Sequence, residues 1–381
     1  MAFEKQAPLY HLFVSLFGGA LKRVLGYTGE TASVDHTPFL LVANHNTDLD
    51  PCLVALSFKN TFIRFVASEH AFRKGIGSTF LRLLGNPIAR VKGSTDAAAV
   101  MQILRTLRGG TCVGLFAEGN RSFNGVTGAI LPATGKLARS SGAALVTYRI
   151  EGGYLTTPRW SRSRRKGKML GYVVNVYTPE MLRSMSPDEI NAAIQNDINE
   201  DAFLRQAPDP VAFRGKNLAE GIERALFLCP RCGRFGTLIG KGNDAVCSCG
   251  FSMTYTETGV FAGENLPFEN IRDFDLWQTE RMNALADGAG DEPVFSDENT
   301  TLLHITAGHT SKVLASGRVS ISKSAFAVGD MSFPLRDMGG MAIVGASTIV
   351  FSVGSESYSV ISDDPHFAGR KYNVFYHRIR G

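Results

Sequence analysis

The run Phe39-Leu40-Leu41-Val42-Ala43 carries no polar residue and no alternation. A short apolar stretch of that kind reads as an interior strand covered on both faces, which places it in an α/β arrangement. It ends in Asn44-His45-Asn46-Thr47-Asp48-Leu49-Asp50, so an imidazole and two carboxylates stand where a buried strand stops. Asp48, Asp50 and Pro51 read as the start of the next helix. A carboxylate one turn into that helix can fold back onto one ring nitrogen of His45, leaving the other to take a proton from a hydroxyl. The spacing alone is weak, because a capping Asp50 beside a satisfied histidine has the same letters.

Three later segments change the weight of that motif. Ala71 to Leu84 reads as an amphipathic helix, and Gly85-Asn86-Pro87-Ile88-Ala89-Arg90 then puts an arginine at the end of a short apolar stretch. Thr111-Cys112-Val113-Gly114-Leu115-Phe116-Ala117 is a second buried-strand run, and it leads into Glu118-Gly119-Asn120-Arg121-Ser122. Two arginines thus stand at or just beyond strand ends, as His45 does, where α/β sheets collect their ligand groups. A guanidinium fork matches phosphate oxygens, so the set suggests a phosphorylated nucleophile held while its hydroxyl is deprotonated.

At this point the chain resembles the glycerolipid acyltransferases typified by 1-acylglycerol-3-phosphate O-acyltransferase. Four ordered blocks carry the resemblance. The family's Asn-His-x-Ser-x-x-Asp is matched by Asn44 to Asp50, with Thr47 in the serine place. Its second block is matched by Gly85 to Arg90, and its Phe-Pro-Glu-Gly-Thr-Arg-Ser by Phe116-Ala117-Glu118-Gly119-Asn120-Arg121-Ser122. The fourth, an apolar strand, is matched by Ala144 to Ile150. Ala117 and Asn120 depart from the family's proline and threonine, and block four lacks the usual prolines. The resemblance implies a glycerol-phosphate acyltransferase-like α/β domain over residues 1–215. It also implies acyl transfer from acyl-coenzyme A or an acyl-acyl carrier protein to the free hydroxyl of a lysophospholipid, foremost 1-acylglycerol-3-phosphate. His45 and Asp50 would be the catalytic pair, and Arg90, Glu118, Gly119 and Arg121 the phosphate site. Another lysolipid or an amino lipid is the alternative acceptor, and a non-catalytic zinc-containing membrane scaffold the alternative role. Cys52 and Cys112 sit among apolar neighbours and read as core residues.

A net charge of +5 over 381 residues is mild. It argues against a nucleic-acid partner and suits an anionic membrane surface. No secretion signal or membrane-spanning run is visible, so the expectation is a cytoplasmic protein bound peripherally to the cytoplasmic face of a membrane. Two segments suit that contact. Leu9 to Leu21 is apolar and aromatic and precedes Lys22-Arg23, as in an interfacial helix or an ordinary packing helix. Arg159 to Lys168 gathers six cations around Trp160, as a membrane-facing loop, a solvated loop, or a contact for coenzyme A phosphates.

Ser186-Pro187-Asp188-Glu189 is a capping box opening a helix to about Phe203, and Ala207-Pro208-Asp209-Pro210 ends the first domain near residue 215. Cys229-Pro230-Arg231-Cys232 and Cys247-Ser248-Cys249-Gly250 then supply four thiolates from two tight turns. That spacing favours a closed structural zinc site in a ribbon-like module, residues 222–260, over disulfides or an iron-sulfur cluster. Gly233 and Gly250 let each turn aim its amides at sulfur. Asp273 to Gln278 begins a linking helix, Ala284 to Pro293 reads as a flexible linker, and alternating runs over 294–381 predict a small β-rich domain closed by a helix from Pro365 to Arg378.

Overall fold

The computed structural model describes residues 18–20, 22–68, 87–90, 97–306 and 310–381. The helix expected at Ala71 to Leu84, the glycine and asparagine that open the second block, and nearly all of Leu9 to Leu21 lie outside them. Two compact units emerge. The first takes the described residues up to Arg159 together with Arg165–Arg214, and the second takes Trp160–Arg164 and Gly215–Gly381.

The first unit is α/β. Its strands are β1 (Tyr27–Gly29), β2 (Phe39–Ala43), β3 (Ile63–Ser68), β4 (Ile88–Arg90), β5 (Cys112–Phe116), β6 (Ala144–Glu151) and β7 (Met169–Tyr177). They form one sheet in the order β1-β7-β6-β2-β5-β3-β4. Every neighbouring pair is parallel except β6 and β7. The helices that cover the sheet include α1 (Asp50–Ser57), α2 (Ala97–Arg108) and α3 (Pro187–Ile198).

The lack of alternation in β2 has a direct cause. Phe39, Leu41 and Ala43 enter a core with Leu53 and Val54 of α1, while Leu40 and Val42 enter a second core with Ile103 of α2 and Ile190 and Ile194 of α3. Both faces are dry, so every position of the strand is apolar. The helix opened by Ser186 has the full capping box but stops at Ile198. A separate helix, Ala202–Gln206, is capped by Asp201, whose carboxylate accepts the amides of Phe203 and Leu204 at 3.0 Å each. The break falls between two caps, and the extended residues between them become part of the site.

The second unit is β-rich. A four-stranded antiparallel sheet of β8 (Leu238–Lys241), β9 (Asp244–Cys247), β10 (Ser252–Tyr255) and β11 (Phe261–Ala262) runs in the order β11-β10-β9-β8. A seven-stranded antiparallel sheet follows, from β12 (Phe295–Ile305) and β13 (Ser311–Ile321) through β14 (Ala325–Val328), β15 (Met331–Pro334), β16 (Met338–Val344), β17 (Thr348–Val353) and β18 (Glu356–Ser362). Its order is β15-β14-β13-β12-β18-β17-β16.

Two expectations are corrected here. The stretch read as a flexible linker is tied down, because α4 (Ile271–Asp287) runs through Ala286, which is fully buried. Asp275 of that helix forms a two-pronged pair with Arg370 of α5 (Gly369–Arg380), at 2.5 and 2.6 Å, and Gly290 accepts the Lys323 amide at 3.1 Å. The closing helix also begins later than Pro365, since Asp364 accepts the amide of His366 and holds an Asx turn there. Among the described residues no helix is long and apolar enough to cross a membrane.

The cationic loop is also less free than its composition suggests. Trp160 is fully buried, edge-on to Tyr255 at 5.5 Å. Arg159 is buried over the Phe123 ring, Arg165 is buried, and Arg162 pairs with Glu223 and the Pro365 carbonyl. Arg162, Arg164, Lys166 and Lys168 are exposed, but the buried Trp160 is not beside them to enter a bilayer.

Candidate active site and four-cysteine centre

Parallel register assembles the first site. Ala43, the last residue of β2, pairs with Phe116 of β5 on one side and Tyr148 of β6 on the other. Residues two beyond these partners therefore meet at one edge of the sheet. His45 and Glu118 do so: the His45 amide donates to Glu118 Oε1 at 2.7 Å. On the other side, Asn44 and Ile150 exchange two hydrogen bonds, from Asn44 Nδ2 to the Ile150 carbonyl at 2.8 Å and from the Ile150 amide to Asn44 Oδ1 at 2.7 Å. The carboxyl end of a parallel strand set is where such folds place their reactive groups.

His45 Nδ1 lies 2.8 Å from Asp50 Oδ2, with the imidazole 23% exposed and the carboxylate fully buried. Asp50 is the first residue of α1 rather than a turn inside it. Its Oδ2 also accepts the amides of Asn46 at 2.6 Å and Thr47 at 2.9 Å, and Oδ1 accepts the Thr47 hydroxyl at 2.7 Å. A carboxylate oxygen at that distance accepts the ring's N–H, which places the proton of the neutral ring on Nδ1. Nε2 is then the basic atom. Phe116 stacks on the ring at 4.5 Å between centroids and fixes its plane.

Glu118 fixes its turn through the backbone. Its two oxygens accept backbone amides, Oε1 that of His45 and Oε2 that of Gly128 at 2.7 Å, so the carboxyl clamps two loops. Burial pushes it up to about 8, with the two amides pulling the other way. The folded state therefore holds a proton that the unfolded chain releases near its ordinary value of 4.5. This group's contribution to stability is complete below that value and is lost as pH rises through about 8. Accordingly, the unfolding free energy of wild type minus that of Glu118→Gln should fall steadily across this window in urea titrations at stepped pH. A difference that does not vary with pH would contradict the assignment.

Gly119 sits at φ +69°, and Arg90 Nη1 lies 3.9 Å from where a Cβ would stand. Arg121 Nε meets Asp48 Oδ1 at 3.3 Å; the arginine is 11% exposed and the aspartate 73%. Asp48 thus stays outside the helix it was expected to begin and faces the arginine instead. Cys52 and Cys112 are not nucleophile candidates, since burial pushes both thiols up to about 11. A buried carboxylate that sequence reasoning missed, Glu200, accepts the Asn46 side-chain amide at 2.7 Å. It lies 154 residues away in the chain, and no local pattern marks it.

The second centre is the cysteine set. Sγ of Cys229 and Cys249 are 3.7 Å apart, and those of Cys232 and Cys247 are 3.8 Å apart. All four sulfurs lie within 4.8 Å of one another and none is disulfide-bonded. A tetrahedral ion with metal–sulfur bonds of about 2.3 Å needs sulfurs about 3.8 Å apart, so the residues fit one such ion. Gly233 and Gly250 adopt φ of +67° and +87°, and their amides close the turns on the Cys229 and Cys247 carbonyls at 3.0 Å.

Residues 25–151 match the family model described as Acyltransferase, and His45, Asp50, Arg90, Glu118, Gly119 and Arg121 all fall inside that stretch. The resemblance carried by the sequence blocks is thereby shown for about a third of the chain. No curated protein matches. Among solved structures, the 1-acyl-sn-glycerophosphate (LPA) acyltransferase PlsC from Thermotoga maritima matches at 18% identity with a TM-score of 0.41, covering 55% of this chain and 98% of that one. At that TM-score the likeness decides neither fold nor substrate.

Proposed function

We propose that this protein moves a fatty acyl group from an acyl thioester, carried on coenzyme A or acyl carrier protein, to the free hydroxyl of a lysophospholipid. The acceptor is 1-acylglycerol-3-phosphate and the product phosphatidic acid. The observation that carries the reading is a histidine whose Nδ1 is committed to a buried aspartate at 2.8 Å, at a sheet edge it shares with Arg90 and Arg121. The acyltransferase match over the same residues supports it.

In this reading His45 Nε2 takes the proton from the acceptor hydroxyl as its oxygen bonds to the thioester carbonyl carbon. Asp50 stabilises the imidazolium that forms. The tetrahedral intermediate collapses by breaking the carbon–sulfur bond, and the proton passes from Nε2 to the departing thiolate. No acyl-enzyme forms. Arg90 and Arg121 hold the acceptor phosphate at the turn shaped by Glu118 and Gly119. The four cysteines hold one zinc ion, whose part is structural. The enzyme works at the cytoplasmic face of an anionic membrane, because its acceptor resides there, and exposed Arg164, Lys166 and Lys168 suit that surface.

Acyl transfer by the purified protein across a panel of lysolipids, with either donor, tests the reaction; no transfer to any would overturn it. Within an active enzyme, Arg121→Ala and, more mildly, Arg90→Ala should raise the acceptor's KM far more than the donor's. Losing a charge-assisted contact costs about 1.5–3 kcal/mol, roughly tenfold to a hundredfold. Equal effects on both substrates would mean the phosphate lies elsewhere.

A further inference from the structure

Glu200 lies beyond the four sequence blocks and beyond the residues that match the acyltransferase model. It occupies the extended break between α3 and the helix Ala202–Gln206. Its carboxylate is 3% exposed. Oε1 accepts the Gly152 amide at 2.7 Å and faces Arg205 Nε at 3.3 Å, while Oε2 accepts Asn46 Nδ2 at 2.7 Å. Its backbone is held as firmly: the Thr127 amide donates to the Glu200 carbonyl, and the Glu200 amide donates to the Thr127 hydroxyl, both at 2.9 Å.

These contacts converge on the turn that carries the base. Asn46 follows His45 directly, its side chain also donates to the Ile150 carbonyl at 3.1 Å, and its own amide donates to Asp50 Oδ2 at 2.6 Å. Gly153 closes the same junction, since a Cβ there would stand 2.8 Å from Asn46 Cβ and 3.4 Å from Thr47 Cγ2. A side chain on Gly153 would push the turn outward. Glu200 therefore ties the carboxyl end of β6, through Gly152, to the Asn46 side chain, whose backbone shares with His45 a single carboxylate, Asp50.

We infer that Glu200 is a positioning residue for His45: by holding Asn46 and Gly152 together it sets the turn that aims the imidazole. The inference deepens the proposed function and rests on His45 being the base. A carboxylate suits the task because it accepts from two donors at once, one backbone and one side-chain, with Arg205 offsetting its charge. Glutamine at this position turns a donor toward Asn46 Nδ2, whose other donor contact to Ile150 prevents a simple flip. A shift of about 1 Å in a reacting group costs up to about a hundredfold in rate.

The test uses the full chain, with Glu200→Gln and, as a milder cut of the same link, Asn46→Ala, which spares the contacts of Glu200 to Gly152 and Arg205. Acyl-transfer kinetics are read beside the proton resonance of the His45 Nδ1–H bond to Asp50 in protein labelled with nitrogen-15 histidine. A role in aiming the base lowers kcat about 10- to 100-fold with the KM of both substrates within about twofold. It also moves that resonance upfield and speeds its exchange in both variants. A folded Glu200→Gln whose resonance and kcat match wild type overturns the inference, as does a kinetic loss confined to KM. Should Glu200→Gln fail to fold, Asn46→Ala decides on the same criteria. Absence of acyl transfer in wild type would overturn the proposed reaction instead, while the resonance would still decide whether Glu200 orients His45.

Discussion

Replacing His45 by alanine should lower acyl transfer by a factor of about 100 to 10,000 with the fold retained, because loss of a general base commonly costs that much. Retention of the fold follows from how little else the ring supports. Among the described residues its polar contact is the one to Asp50, and its face rests on Phe116, whereas the backbone bonds of this turn, from the His45 amide to Glu118 and from the Ser122 amide to the His45 carbonyl, survive in alanine. Asp50→Asn is a harsher change than a tautomer argument alone implies. Asp50 also takes the amides of Asn46 and Thr47 and the Thr47 hydroxyl, so an amide NH2 would confront donors and loosen the whole turn. The decisive measurement is therefore the rate of His45→Ala beside its circular dichroism and melting curve. Turnover like wild type in a folded His45→Ala would sink the mechanism.

The second large effect concerns the cysteines. The purified chain should hold one zinc ion, and Cys229→Ser or Cys247→Ser should release it and unfold the sheet formed by β8 to β11. Closed sites of this type contribute about 10–16 kcal/mol in small zinc-binding peptides, more than a four-stranded sheet of this size can replace by burial. The damage should spread within the second unit. Phe235, in the loop that follows Cys232, stacks on Phe227 and lies 5.0 Å from Phe295 at the start of β12. Gln278 of α4 holds the Phe227 amide and the Ala225 carbonyl. Hydrogen exchange should thus quicken over residues 238–255 first and at β12 next. Acyl transfer should change little, since His45 needs no metal. Zinc kept at full stoichiometry in both variants would refute the ligand assignment. Zinc lost together with all activity, in protein whose first unit remains folded, would refute a purely structural role.

Much of the site was legible because its parts are close in the chain. His45 and Asp50 are five residues apart, so a strand end followed by a helix start brings them together whatever the rest of the molecule does. The paired cysteines are local in the same sense, and so are the capping box at Ser186 and the dry run of β2, each written within a single segment. Glu118 was legible as a motif residue, but its two partners, the amides of His45 and Gly128, were not, because neither lies in its own motif.

What the tertiary structure alone decided depends on register and burial. The pairing of Ala43 with Phe116 sets the Glu118 carboxyl against the His45 amide, and a slip of one residue would have separated them. Trp160, in a loop read as membrane-facing, solvated or in contact with coenzyme A, is buried against Tyr255, since composition records that a loop is basic but not which of its residues finds an apolar partner. Glu200 reaches Asn46 across 154 residues, and the alignment of a helix break with a distant turn is written in neither segment. Covalent geometry dictates the neighbourhood of residues a few positions apart; the neighbourhood of the rest is settled only when strands choose partners and helices cover both faces of the sheet.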